Sequence, residues 1–428
     1  MNRLRILAGL ILLAVASPVM AEVSDTEIAA LREQIRILSE RLDQLEQANS
    51  ATAPEKQVTV ANQQEASTGD QELDAKIDQA VAEKVDEKMA SVSWAERIRW
   101  SGDFRYRYES TAIDYNPDRN RNRIRARAHL QADVSETMKV GIGLASGSDD
   151  PVSTNQTLGG GGSSKPLSLD LAYFEWTGIN DTKVLGGKFK NDLYRPGDNG
   201  LLWDSDWRPE GTSVTYDNGT LFAVGLGTWV ESDSSKAQQE FSYALQAGVN
   251  LDLGDTAILT LGGSYIHINS AGKGSFYGDD DFFGNSFDPV TGTYLYNYYE
   301  LEGFAQLGFS VLDRPAFIFA DYVYNTEVDE NNVGYAFGAQ FGSVKKKGDW
   351  EISYTYEKLE ADAVFGLLTD SDFGNGGTDA KGSIFKGAYA FHDNWFFSAT
   401  YFLNVIDIDT PEPADYNRWQ LDLNFKFK

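Results

Sequence analysis

From Ile98 to the end of the chain the polarity of the residues alternates with a period of two. In Ile98-Arg99-Trp100-Ser101-Gly102-Asp103-Phe104-Arg105-Tyr106-Arg107-Tyr108 every second residue is apolar or aromatic, Gly102 excepted, and the others are polar. Ile124, Ala126, Ala128, Leu130, Ala132 and Val134 alternate in the same way with Arg123, Arg125, Arg127, His129, Gln131 and Asp133. The pattern returns in 241–253, 299–311, 350–356 and 395–403, and closes with Trp419, Leu421, Leu423, Phe425 and Phe427. A period of two puts each set on its own face of a β-strand. About sixteen such segments can be drawn, most of about nine to fourteen residues, the length of a tilted membrane strand.

The connections between these segments alternate between short and long. Asn180-Asp181, Asp217-Asn218-Gly219, Gly254-Asp255 and Lys347-Gly348-Asp349 have tight-turn chemistry, whereas 110–121, 146–166, 190–210, 269–296 and 359–380 are long. A soluble sandwich has no reason to sort its loops. A barrel in an outer membrane keeps short turns on one side and long loops on the other. The fold class expected is therefore all-β, a transmembrane antiparallel β-barrel of about 16 strands over residues 94–428.

Ahead of the barrel the period is helical. Ile28, Leu31, Ile35, Leu38, Leu42 and Leu45 form a heptad seam, predicting an α-helical coiled-coil arm over 22–49. Residues 50–70 are polar and contain Pro54, which predicts a flexible linker. Leu73, Ile77, Val81, Val85, Met89 and Val92 place one apolar stripe on an amphipathic helix over 71–93. Arg3 and Arg5, the apolar run 4–16 and Val19-Met20-Ala21 before Glu22 have the form of a removed signal peptide, 1–21. Export follows, with the barrel in the bacterial outer membrane against its lipid and the helical arm in the periplasm.

Composition narrows the picture. After residue 21 no apolar run is long enough for a spanning helix. Trp100, Trp176, Trp229, Trp350, Trp395 and Trp419 lie near segment ends, as interfacial girdles require. The formal charge of −27 argues against nucleic acid as a partner, because phosphate contacts need a basic surface. The chain has no Cys, and His129, His267 and His392 are scattered, so neither disulfides nor a zinc site is expected. No Ser is evidently paired with His129, which weighs against an enzyme, and no cofactor is implied. Asp279-Asp280-Asp281 reads as a solvated acidic loop, and Gly159–Gly162 as a loop tip without the helix a phosphate cradle needs.

This plan resembles the bacterial porins, and most closely the porin family with a coiled-coil segment before a sixteen-strand barrel. The most specific piece is Gly186-Gly187-Lys188-Phe189-Lys190 running into Asn191–Glu210. In porins the third long loop folds into the barrel and narrows it, and residues 190–210 are the third long loop here. The resemblance implies passive diffusion of small hydrophilic solutes or ions through a water-filled lumen. It also implies a homo-oligomer, with a trimer expected. Porins commonly finish on an aromatic, whereas here Phe427 is followed by Lys428.

A pore's chemistry lies in its inward side chains. The alternation turns Arg99, Arg105, Arg107, Arg123, Arg125 and Arg127 inward on the first two strands, and barrel closure adds Arg418. Lys188 and Lys190 extend this basic wall from the fifth strand. Asp192, Asp198, Asp204, Asp206 and Glu210 lie in the third long loop. The expectation is a basic wall facing an acidic loop across water, setting a transverse field that sorts solutes by size and charge. An alternative is that some of these arginines are ion pairs that pin the loop. Glu300, Glu302, Glu351 and Glu357 are expected on the opposite side of the lumen, so the ion preference stays unsigned. A second function class is an outer-membrane tether, with the barrel as anchor and the arm reaching towards the cell wall.

Overall fold

The structure is a computed structural model that describes residues 97–236, 239–254 and 256–428. The signal peptide, coiled-coil arm, linker and amphipathic helix expected over 1–93 lie outside the described residues. The remainder is an antiparallel closed barrel of 16 long strands. They are β1 (Ile98–Ile113), β2 (Arg119–Ser135), β3 (Met138–Ser146), β4 (Leu167–Ile179), β5 (Thr182–Lys188), β6 (Glu210–Asp217), β7 (Leu221–Glu231) and β8 (Glu240–Asp252). There follow β9 (Ala257–Ile268), β10 (Tyr298–Val311), β11 (Arg314–Asn325), β12 (Val333–Gly342), β13 (Trp350–Leu359), β14 (Ala380–His392), β15 (Trp395–Ile406) and β16 (Ala414–Phe427).

Each strand pairs with its sequence neighbours, and β16 pairs with β1 from Gly102↔Phe427 to Ile113↔Tyr416. Closure leaves no sheet edge, the condition for a backbone to cross hydrocarbon without stranded N–H and C=O groups. The outer face carries Trp100, Phe104, Ile142, Leu144, Trp229, Ile318, Phe337, Leu403 and Trp419, all large, apolar and exposed. The alternation in the sequence is thus the lipid-facing set against the lumen-facing set. Gly102 interrupts it for a steric reason: a Cβ there would lie 2.3 Å from the Phe427 ring and from the Arg127 carbonyl.

Two departures concern the connections. β1 and β2 run further than expected, so the first long connection is only 114–118. Tyr106 and Tyr108 hydroxyls donate to Asn122 and Asn120 across this longer hairpin, at 2.9 and 3.0 Å. Residues 343–349, a turn, are as many as 326–332, a loop, so length alone does not sort that pair.

A third departure lies inside. β7 is apolar on both faces, with Phe222, Val224 and Leu226 buried on the lumen side. Ile266 of β9 and Phe319 and Val323 of β11 are buried with them. Tyr194 lies against Phe222, and the others share a core with Leu193, Leu201, Leu202, Trp203 and Trp207 of residues 189–209 and with Val364, Phe365, Leu367 and Leu368 of residues 360–379. Trp203 and Trp207 stack with ring centroids 4.7 Å apart. Val152 from residues 147–166 and Phe282 and Tyr294 from residues 269–297 join them, so the barrel holds an apolar core to which four loops contribute, and burial of this surface drives the loops inward.

Candidate functional site

The charged part of the lumen lies where β1, β2 and β16 run side by side. The register sets Asp103 opposite Arg127, Arg105 opposite Arg125 and Arg107 opposite Arg123, with Asp422 beside Arg107 on the other side. Directly opposed guanidinium groups repel, so this wall needs interleaved carboxylates. Arg107 makes a forked pair with Asp422, at 2.7 and 2.9 Å. Asp103 accepts from Arg125 Nε at 3.1 Å and from Arg127 Nε at 2.8 Å. Glu109, fully buried, meets Arg121 and Arg418, with Arg123 at 3.6 Å. Arg99 pairs with Asp133 at the exposed end of the wall.

Two loop carboxylates complete the network. Asp206, from residues 189–209, lies 2.9 Å from Arg127 Nη1 and 3.7 Å from Arg125 Nη1. Asp372, from residues 360–379, bridges Arg107 at 3.0 Å and Arg418 at 2.6 Å. Burial alone would raise both acids. The arginines win: Arg125, Arg127 and Arg208 hold Asp206 down to about 2, and Arg418 with Arg107 holds Asp372 well below the usual carboxylate range.

Residues 189–209 span to the far wall as well. Gln246 of β8 accepts from the Tyr194 N–H at 2.6 Å, and Gln306 of β10 from the Gly197 N–H at 2.7 Å. Asn199 Nδ2 donates to Asp321 of β11 at 2.8 Å. Gly197 can sit there because it has no side chain; a Cβ would lie 2.3 Å from the Phe319 ring, and its φ of +62° favours glycine. The two loops meet directly, Asp204 N–H donating to the Leu368 carbonyl at 2.7 Å and Asp370 N–H to the Gly200 carbonyl at 3.1 Å. Asp204 is pushed up by burial and by Asp370 and Asp206, and Asp370 is pushed up to about 6 by burial and Asp372.

A barrel lined in this way has the architecture of a porin, and comparison with known proteins agrees. A family described as putative porin matches residues 111–275 and 292–427, nearly the whole barrel. The chain belongs to the putative porin family. OprB of Pseudomonas putida shares the fold at 10% identity, covering 79% of this chain and 96% of its own, with a TM-score of 0.53. An OmpT loop-deletion mutant of Vibrio cholerae aligns at 15% identity over 77% of this chain and 99% of its own, TM-score 0.45. OmpF of Salmonella typhi, solved with daunomycin, aligns at 11% identity over 77% and 97%, TM-score 0.47. No curated protein matches the sequence. The porin family and fold place the chain in the outer membrane.

Most of the expected site residues converge in this family member's lumen. Arg105, Arg107, Arg123, Arg125, Arg127 and Arg418 form one wall with Asp206. Lys190 lies with Arg127, Asp170 and Arg208 around a cavity of about 400 Å³. Asp192 turns back to Lys183 at 2.8 Å, and Asp198 is exposed at a left-handed φ of +52°.

Lys188 and Glu210 require a correction. Leu185 and Ser213 are buried on the lumen side, so Lys188 and Glu210, three residues from each, have the opposite parity and belong to the outer face. They pair with each other at 2.6 Å. Strand β5 ends at Lys188, and the inward turn of the chain begins one residue later.

The expected water gap between wall and loop is closed at Asp206, which touches the arginines directly. Residues 360–379 were missed as a site element. Their signal was Ala363-Val364-Phe365-Gly366-Leu367-Leu368, an apolar run for which an exposed loop has no use. Glu300, Glu302 and Glu357 are inward but buried beneath the loops, while Glu351 pairs with Lys386 at 3.1 Å.

Proposed function

We propose that the chain is a passive diffusion porin for small hydrophilic solutes and ions, narrowed by the third long loop, residues 189–209. The observation that carries this reading is Asp206, which ties that loop to Arg125 and Arg127 at the charged wall. A loop held by the basic wall and by Gln246, Gln306 and Asp321 leaves passage only where charged and polar side chains line the gap. Charges fixed on both sides of such a gap act in a low-dielectric setting and orient a permeating dipole. Residues 360–379 add a second restriction through Asp372. The chain works as a homo-oligomer, a trimer in this reading, with the arm at 22–93 in the periplasm. Planar-bilayer recording of the purified protein tests the proposal. Stable open channels of one size are expected, and a barrel that stays silent in salt would sink it.

A further inference from the structure

Most of the lumen's arginines are matched by carboxylates, and Arg105 is the exception within the wall. Among the described residues no carboxylate comes within ion-pair distance of its guanidinium. It donates to the Asn155 side-chain oxygen, and its Nε is buried without a partner among the described residues. Arg105 opens onto a cavity of about 150 Å³ bordered by residues 147–166, 189–209 and 360–379. Arg125, Asp206 and Asp372 also border it, but their charges are engaged in the ion pairs described above.

Asp198, Asp204 and Asp370 line the same cavity, and none of the three has a cationic partner within ion-pair distance among the described residues. Asp198 is exposed, and no hydrogen bond to its carboxylate is made by the described residues. Asp204 accepts only backbone N–H groups, from Asp206 at 2.6 Å and Ser371 at 2.9 Å. Asp370 accepts from the Asp372 N–H at 2.8 Å. Arg195, the remaining cation, donates to the loop carbonyls of Asn199 and Trp203.

Arg105 on the wall, Arg195 on the third loop and three carboxylates without cationic partners thus border one small compartment. A simple anion entering it meets the three acids, and a simple cation meets Arg105 and Arg195. A molecule carrying both charges satisfies both sides. We propose that this compartment is a subsite for small zwitterions, the solute carboxylate on Arg105 and its ammonium group on Asp198 and the Asp204–Asp370 edge. The inference rests on the porin reading and gives it a substrate class. The volume suits a solute of the size of glycine or a slightly larger amino acid.

The test uses the full chain in liposomes and four probes of nearly equal size: glycine, neutral glycolamide, anionic glycolate and cationic glycinamide. Initial uptake is measured at low solute concentration and neutral pH. Two charge contacts in the wet lumen predict that glycine enters about fivefold faster than glycolamide and ahead of both singly charged probes. Arg105→Gln and Asp198→Asn, each checked for folding by heat-modifiable gel migration, should each bring the glycine to glycolamide ratio down to about one. A ratio of one in the unaltered protein, or a ratio unchanged in both folded variants, overturns the inference. If glycolamide also fails to enter and no ion current is seen, the porin reading itself has failed. Ion current and glycolamide entry without a preference for glycine condemn only the zwitterion subsite.

Discussion

Asp206 and Arg127 are in direct contact inside the lumen at 2.9 Å, one on a loop and the other on β2. The same carboxylate accepts from the Thr154 hydroxyl at 2.9 Å, so one side chain joins the third loop, the wall and the second loop. Removing one partner of a buried ionic cluster leaves the others desolvated and unmatched. Asp206→Asn should lower barrel stability by about 3 kcal/mol, read as a drop in the gel-shift midpoint. It should also give a larger and noisier single-channel conductance. Asp206 is held down to about 2, against 3.8 for an ordinary aspartate. Its stabilisation is complete above 3.8 and is lost only as the pH falls through about 2. Recordings at pH 4.5 should therefore still show the loop pinned.

The contact between the two loops has the opposite sign. Asp370, pushed up to about 6, and Asp204, also raised, take up protons in the folded protein before an unfolded chain would. Stability therefore rises as the pH falls from about 6 towards 3.8. Asp379, pushed up to about 7 by burial and by its neighbours Asp409 and Asp407, adds the same sign. Open-channel noise should be lower at pH 5 than at pH 7. Asp370→Asn should flatten that difference, and an unaltered pH profile in the variant would refute the role given to Asp370.

Face assignment can be checked electrically. Lys188 belongs to the outer face with Glu210, whereas Lys190 lies beside Arg127 and Arg208. Lys190→Glu should move the reversal potential in a salt gradient towards cations. Lys188→Glu should leave it where it was, and an equal shift from both would return Lys188 to the lumen.

Glu357 is 1% exposed, and its Oε1 has no hydrogen-bond partner among the described residues. A buried carboxyl without a partner opposes folding, and an apolar replacement of similar volume removes that penalty. Glu357→Leu should raise the gel-shift midpoint, by about 1–3 kcal/mol in stability. A lower midpoint would mean that Glu357 holds a proton or a partner that the fold needs.

The alternation in 98–108, 124–134 and 419–427 was legible because lipid enforces it residue by residue. An outward polar side chain in hydrocarbon is costly wherever it falls, so the outer face is written directly into the sequence. The inward side carries no such local rule. Val224 and Leu226 face the lumen and are apolar because they join Trp203, Leu201 and Phe365 in one core, and those residues are distant in sequence. Lys188 falls outside the basic wall that the alternation predicts, because β5 ends at Lys188 and the chain leaves the strand before Lys190.

By itself the sequence determined the strand number, the two faces of most strands, and the clustering of arginines on β1, β2 and β16. These follow from a period-two pattern and from the rule that neighbouring strands pair. Only the tertiary structure decided what the arginines meet. Asp206 and Asp372 reach the wall on irregular loops, and no periodicity fixes where such a loop ends. Their position is set by an apolar core that several loops and strands build together inside the barrel, a long-range arrangement that no single stretch of the chain encodes.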